Sequence, residues 1–210
     1  MVRCRAAAGQ RCWFSSSSSE GGVYKKVGFI GAGKMAQALI HPMIESGLQP
    51  AGQISVFDVS TAVTQFVENE YEGIHMANSP QEVVEGADLV VCAVKPQNLG
   101  EEFFGQLSAS PDTTLLSIIA GKPMSTFLDG GFTKVARSMP NTPAQIGKGM
   151  TVWCCTNNIP TPEREKIQKV LGSFGKQVRG FLQRKRMGQW NTISHVSLSL
   201  SLPPSQDLRG

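Results

Sequence analysis

The chain has 210 residues, a net charge of +4 and a hydrophobic fraction of 40%, enough for one substantial core with its ends but not for two large domains. The positive charge belongs to the ends: residues 23–178 carry 12 Lys+Arg against 14 Asp+Glu, so the domain offers no basic surface for nucleic acid. No apolar stretch reaches the ~20 residues that span a bilayer, which excludes a membrane-spanning helix. The cysteines, Cys4, Cys12, Cys92, Cys154 and Cys155, are odd in number and follow no metal-site or disulfide spacing.

Residues 1–22 contain Arg3, Arg5 and Arg11, a five-serine run and no acid before Glu20. Arg-rich, Ser-rich, acid-poor composition is that of an organelle transit peptide, addressed to a mitochondrion or plastid. The alternative is a disordered low-complexity leader without an address, on a cytoplasmic protein.

Val27 to Ala36 reads V-G-F-I-G-A-G-K-M-A: an apolar run, a glycine-rich turn, then a helical pattern from Met35. This is the opening of a dinucleotide-binding unit. Gly31 supplies turn angles a side chain would resist, Gly33 lets a pyrophosphate approach the main chain, and Ala36 lets the helix lie close to the strand. Unpaired N–H groups and the dipole at the helix start attract phosphate. Gly47 ends the helix, and Ile54 to Asp58 forms the second strand. Asp58 falls where an acid accepts hydrogen bonds from the adenosine ribose, which leans toward NAD over NADP; it could equally cap the helix starting near Ser60.

A short strand follows at Ile74 to Met76, then a capping box, Ser79-Pro80-Gln81-Glu82, and a helix ending near Gly86. Ala87 to Val94 is a continuous apolar run after one acid, the pattern of a strand buried on both faces of a parallel sheet. Lys95-Pro96 at its carboxyl end sits where open α/β sheets bind ligands, so Lys95 faces either a cofactor or water. Thr113 to Ile119 is the next strand, and Ala120-Gly121 again allows close approach of backbone to a ligand. A short helix over Pro123 to Leu128 and a strand over Lys134 to Met139 lead into Pro140-Asn141-Thr142-Pro143, which is either a polar, rigid crevice wall or a simple proline-rich turn. A strand over Met150 to Cys155 and a helix from Thr161 to about Phe174, closed by Gly175, complete the pattern. After Val178 a basic stretch gives way to serine–leucine alternation. Its period of two at Val196, Leu198, Leu200 and Leu202 allows an edge strand, but a poorly ordered tail fits better.

The expected fold is therefore α/β: a Rossmann-like, doubly wound, mostly parallel sheet over residues 23–178, one domain between a disordered leader (1–22) and an irregular tail (179–210).

Three blocks occur in one order: G-F-I-G-A-G-K-M-A, D-L-V-V-C-A-V-K-P and R-S-M-P-N-T-P-A-Q-I-G-K-G-M-T. Together they resemble the N-terminal domain of the pyrroline-5-carboxylate reductases. That resemblance implies hydride transfer from NADPH or NADH to the C=N carbon of Δ1-pyrroline-5-carboxylate, giving L-proline. It implies that Ile30, Gly31, Ala32, Gly33, Lys34 and Met35 cradle the pyrophosphate. Ala93, Val94, Lys95 and Pro96, with Ala120 and Gly121, line the nicotinamide side, while Asn141, Thr142 and Pro143 lie near the reacting ring; Asn141 and Thr142 are the nearest candidates for a catalytic role, and no metal is expected. Family members continue into a helical domain that opens near a Ser-Gly-Ser-Gly-Pro loop, binds the substrate carboxylate and forms a homo-oligomer. No such loop follows Val178 here, so the expectation is a truncated, monomeric form. The alternative function is a catalytically inactive nicotinamide-nucleotide-binding module.

Overall fold

A computed structural model describes residues 21–141, 143 and 149–180; Thr142, the leader to residue 20 and the tail from residue 181 lie outside the described residues. The elements are β1 (Val27–Ile30), α1 (Lys34–Glu45), β2 (Ile54–Phe57), α2 (Thr61–Glu70), β3 (His75–Met76), α3 (Pro80–Val84), β4 (Leu89–Cys92), α4 (Glu101–Gly105), β5 (Thr114–Ser117), α5 (Met124–Asp129), β6 (Lys134–Pro140), β7 (Gly149–Cys155), α6 (Thr161–Gly172) and β8 (Gly175–Arg179). The strands form a sheet in the order β3-β2-β1-β4-β5-β6-β7-β8. β3, β2, β1, β4, β5 and β6 are parallel, and β7 is antiparallel to β6. The doubly wound, mostly parallel α/β sheet expected from the sequence is what forms.

Strand β4 shows why. Its four residues, Leu-Val-Val-Cys, are all buried. Leu89 and Val91 join the core beneath α1 and α6, while Val90 and Cys92 join the core beneath α3, α4 and α5. A strand with apolar side chains on both faces must be covered twice, at about 1.5–3 kcal/mol for each large side chain buried. α1 contributes Ala36, Leu39, Ile40 and Met43 to the first layer, positions that share one helix face. In the second layer Phe104 meets Phe103, Phe127 and Phe132 edge-on, at centroid distances of 5.3, 5.7 and 6.2 Å, the arrangement ring quadrupoles favour.

Local signals explain most boundaries. Gly47 follows α1 with φ +68°, the left-handed cap expected of it. At α3, Ser79 Oγ accepts from the Glu82 N–H at 3.2 Å, but Glu82 does not reach back to the Ser79 N–H as in a full capping box. Its carboxylate accepts instead from the Asn78 N–H at 2.8 Å and meets His75 Nε2 at 2.9 Å. The Asn78 bond first, then His75, holds the Glu82 carboxyl below its usual range.

Two features depart from expectation. Gly175 does not merely close α6: it starts β8, a parallel partner of β7 (Gly149↔Gly175 to Trp153↔Arg179). A Cβ on Gly175 would overlap the Gly149 backbone, so glycine here lets two strands approach. The second is α4, a single turn after Gly100 that supplies Phe104 to the core.

Cys92, Cys154 and Cys155 are buried. Burial pushes the Cys92 thiol up to about 12 and the Cys154 thiol to about 11, the latter against the opposing pull of Arg137. Because the thiolate is the reactive form, iodoacetamide at pH 8 should leave Cys92 and Cys154 unmodified in the folded chain and modify both in denaturant. Peptide mapping checks this, and rapid native labelling of either would contradict their placement.

Candidate cofactor site

The parallel strands β1, β2, β4, β5 and β6 all point their carboxyl ends to one edge of the sheet. Between β1 and β4 the chain's direction of winding reverses, and a doubly wound sheet opens a crevice at that point. A groove of about 620 Å³ lies there, lined by Ile30, Gly31, Gly33, Phe57, Asp58, Val59, Ser60, Val63, Ala93, Val94, Lys95, Asn98 and Phe103.

The glycines divide the work. Gly31 has φ +93°, and a Cβ there would sit 2.8 Å from Ala93 C, 2.9 Å from Ala93 O and 2.9 Å from Val94 N. Its side chain is missing because two backbone segments meet, the end of β4 packing on the turn after β1. Gly33 is different: no heavy atom lies within 4 Å of a Cβ built on it. The space above Gly33 is open groove, and it sits at the N-cap of α1. The first N–H groups of a helix have no intrahelical acceptor, so this end presents donors and a positive dipole to an incoming phosphate.

Not all of the turn is available to a ligand. The Gly31 N–H donates to Phe57 O at 2.8 Å, and the Ala32 N–H donates to Asp58 Oδ2 at 2.8 Å. Ala32 is fully buried. Asp58 also accepts the Ser60 N–H on Oδ1 at 2.8 Å. The residue thus caps no helix in the simple sense; Ser60 is the N-cap of α2, and Asp58 ties the phosphate-side turn to the end of β2. Of the expected cradle, Ile30, Gly31 and Gly33 line the groove, whereas Ala32, Lys34 and Met35 are not part of its lining. Lys34 is exposed, with Nζ 5.5 Å from the Phe66 ring centroid, a cation–π distance.

On the other wall, Ala93, Val94 and Lys95 line the groove as expected, Lys95 with its side chain exposed. Pro96 opens a single 3-10 turn, and its third residue, Asn98, lines the groove in its stead. Ala120 and Gly121 (φ +75°) are exposed after β5, outside that lining. Asn141 is exposed too, and its Oδ1 accepts the Met150 N–H at 2.9 Å, bracing the β6–β7 connection. Its partner candidate Thr142 falls outside the described residues. Phe57, Val59, Val63, Asn98 and Phe103 join the lining with no sequence motif to mark them; Val59, immediately after the β2 acid, is 81% exposed, an apolar side chain left in water beside the groove where a flat ligand could cover it.

An open cradle at Gly33, a helix start and a fixed carboxylate at the end of β2 together fit an adenine dinucleotide. No group of three or more His, Cys, Asp or Glu among the described residues could hold a metal ion, and none of their helices is long and apolar enough to cross a membrane.

Fold and groove define the class: a doubly wound dinucleotide-binding domain, and residues 26–121 match the family described as "NADP oxidoreductase coenzyme F420-dependent". Over that domain the chain is similar to the pyrroline-5-carboxylate reductases. It is 36% identical over 157 residues to the pyrroline-5-carboxylate reductase of Escherichia coli (strain K12), a match covering 72% of this chain and 57% of the relative. With the Arabidopsis thaliana enzyme of the same name the identity is 30% over 153 residues, covering 72% and 55%. The chain spans somewhat over half the length of these relatives. Among solved structures, a pyrroline-5-carboxylate reductase from Coxiella burnetii superposes with a TM-score of 0.67 at 23% identity, covering 75% of this chain and 59% of that one. The Plasmodium falciparum pyrroline carboxylate reductase with NADP bound gives 0.65 at 22%, covering 77% and 59%. At those identities the likeness is one of fold.

Proposed function

We propose that the chain supplies the hydride-donor half of a pyrroline-5-carboxylate reductase site, using NADP or NAD. The observation that carries this reading is the groove at the β1/β4 reversal, floored by open space over Gly33, in a domain 36% identical to the Escherichia coli relative. A bound nicotinamide nucleotide would supply the hydride for the C=N carbon of Δ1-pyrroline-5-carboxylate. The chain's own part is orientation. The start of α1 beyond Gly33 holds the pyrophosphate, Asp58 meets the adenosine ribose, and Val59 and Val63 pack against the adenine. Ala93 to Lys95 set the nicotinamide against the small-molecule substrate, with Asn141 beside the reacting ring. Fixing two reactants in register is the larger part of such catalysis.

The second reading, cofactor binding without turnover, draws on the 57% of the Escherichia coli relative that the match covers: the remainder of that relative has no matched counterpart. Purified chain incubated with proline and NAD or NADP separates the two. The first reading predicts proline-dependent reduction of the nucleotide; saturable nucleotide binding without any reduction supports the second. On either reading the 210-residue chain is proposed to be a monomer, and a concentration-independent dimer in sedimentation would count against it.

We also propose that residues 1–22 direct import into a mitochondrion or plastid. A fluorescent reporter carrying only those residues should enter the organelle, and a diffuse cytoplasmic reporter would overturn the address.

A further inference from the structure

We propose that a cavity on the far side of α4 from the nucleotide groove is a second small-molecule site, which takes an apolar ligand with a carboxylate at one end and an ammonium at the other. Filling it tightens nucleotide binding, and that consequence alone rests on the groove being a nucleotide site, as proposed above.

The cavity has a volume of about 710 Å³ and lies between the α4 and α5 segments. Leu99, Phe104 and Leu107 form its apolar wall, and Lys122, Thr126 and Asp129 its polar wall. Apolar surface with a few convergent polar groups is the make-up of a ligand pocket. Lys122 Nζ donates to Leu99 O at 3.3 Å, which leaves its remaining N–H donors available to a carboxylate. Asp129 is exposed, and neither residue joins an ion pair among the described residues. Lys122 precedes α5 and Asp129 ends it, and a helix of six residues rises about 9 Å. The two charges thus stand at opposite ends of one wall. That placement suits a ligand charged at both ends rather than on a single carbon.

Glycines keep the cavity open. Gly100 and Gly105 line it, and a Cβ on either meets no heavy atom within 4 Å. Neither has a positive φ, so neither turn geometry nor packing calls for glycine, which in a helix is less stable than alanine. Gly130 is different, because a Cβ there would run into the Phe104 ring.

The segment from Asn98 to Phe104 separates this cavity from the groove. Asn98 and Phe103 line the groove, while Leu99, Gly100 and Phe104 line the second cavity. The two rings meet edge-on, with centroids 5.3 Å apart. α4 has only five residues, and a helix that short is marginal by itself. A ligand packed on Phe104 and Leu107 supports it and, through the ring pair, the Phe103 side of the groove. By linkage, bound nucleotide tightens the second ligand by the same factor.

The test is calorimetric titration of the full 210-residue chain with 4-(aminomethyl)benzoate, whose flat ring carries a carboxylate and an ammonium at opposite ends, with and without saturating NADH. The comparison compounds are 4-methylbenzoate, 4-methylbenzylamine and phenylalanine, whose two charges share one carbon. The expected result is saturable binding of the probe, weaker by about threefold or more for each comparison compound and for the probe on Lys122→Met or Asp129→Asn. Gly105→Leu, which places a side chain in the open cavity, should abolish probe binding with the fold intact by circular dichroism. Saturating probe should raise NADH affinity about threefold or more in the unsubstituted chain and leave it unchanged in Gly105→Leu. No saturable binding, or equal binding by folded Gly105→Leu, would overturn the site. Phenylalanine binding as tightly as the probe would overturn the assigned ligand class. Probe binding that leaves NADH affinity unchanged would overturn the coupling. A folded chain that binds the probe but not NADH would overturn the proposed function and leave the second site standing. Should a variant fail to fold, the comparison compounds on the unsubstituted chain still decide.

Discussion

Gly31→Ala should destabilise the domain by about 2–5 kcal/mol and abolish nucleotide binding, whereas Gly33→Ala should leave stability within about 0.5 kcal/mol and weaken binding alone. The two positions are two residues apart in one motif, yet their surroundings differ completely. At Gly31 the backbone is left-handed (φ +93°), and the nearest atoms to an added Cβ are main chain, Ala93 C at 2.8 Å and Val94 N at 2.9 Å. Strain of about 1–2 kcal/mol for the conformation adds to about 1–3 kcal/mol for overpacking, and backbone cannot step aside as a flexible side chain would. The turn would also lose its 2.8 Å bond from the Gly31 N–H to Phe57 O. At Gly33, φ is −62° and an added Cβ meets nothing, so the methyl enters only the space a pyrophosphate would use. Urea denaturation with parallel NADH titration separates the two effects. Equal stability loss at both positions would contradict the division between a packing glycine and a ligand glycine.

Trp153→Ala should cost about 3–5 kcal/mol. Trp153 is wholly buried on β7, in the same core as Ile167, Val170, Leu171 and Phe174 of the α6 segment. It sits opposite Ser138 of β6 and Arg179 of β8, so one side chain ties the antiparallel end of the sheet to the helix that covers it. Truncation leaves a cavity bounded on both sides by paired strands that cannot collapse into it. The measurement is the urea midpoint at constant m-value. A loss below about 1 kcal/mol would mean that β7, α6 and β8 pack loosely on the rest.

The sequence made the first half of the fold legible because each signal there is local. The β1 turn announces its glycines, β4 its two-sided burial, and α3 its Ser79 cap. β8 was not legible. Gly-Lys-Gln-Val-Arg has a single apolar residue, and the segment becomes a strand through its pairing with the β7 backbone rather than through its own pattern. The reversal of β7 was readable in principle. Only eight residues, 141–148, separate β6 from β7, too few for the crossover that a parallel neighbour requires. Within the site, Gly31, Gly33 and the β4 end were readable from spacing. The two bonds of Asp58 were not, because its donor Ala32 is 26 positions away in sequence and reaches it only once β1 and β2 pair.

If the open cradle above Gly33 is a nucleotide site, a side chain that fills it must weaken nucleotide binding. Titrating NADH into the purified chain and into Gly33→Val, with the fold of each verified by circular dichroism, measures this directly. The unsubstituted chain should bind saturably and the variant should lose about tenfold or more in affinity, since a branched side chain would occupy the pyrophosphate's place. Equal affinity in the two folded proteins would contradict it.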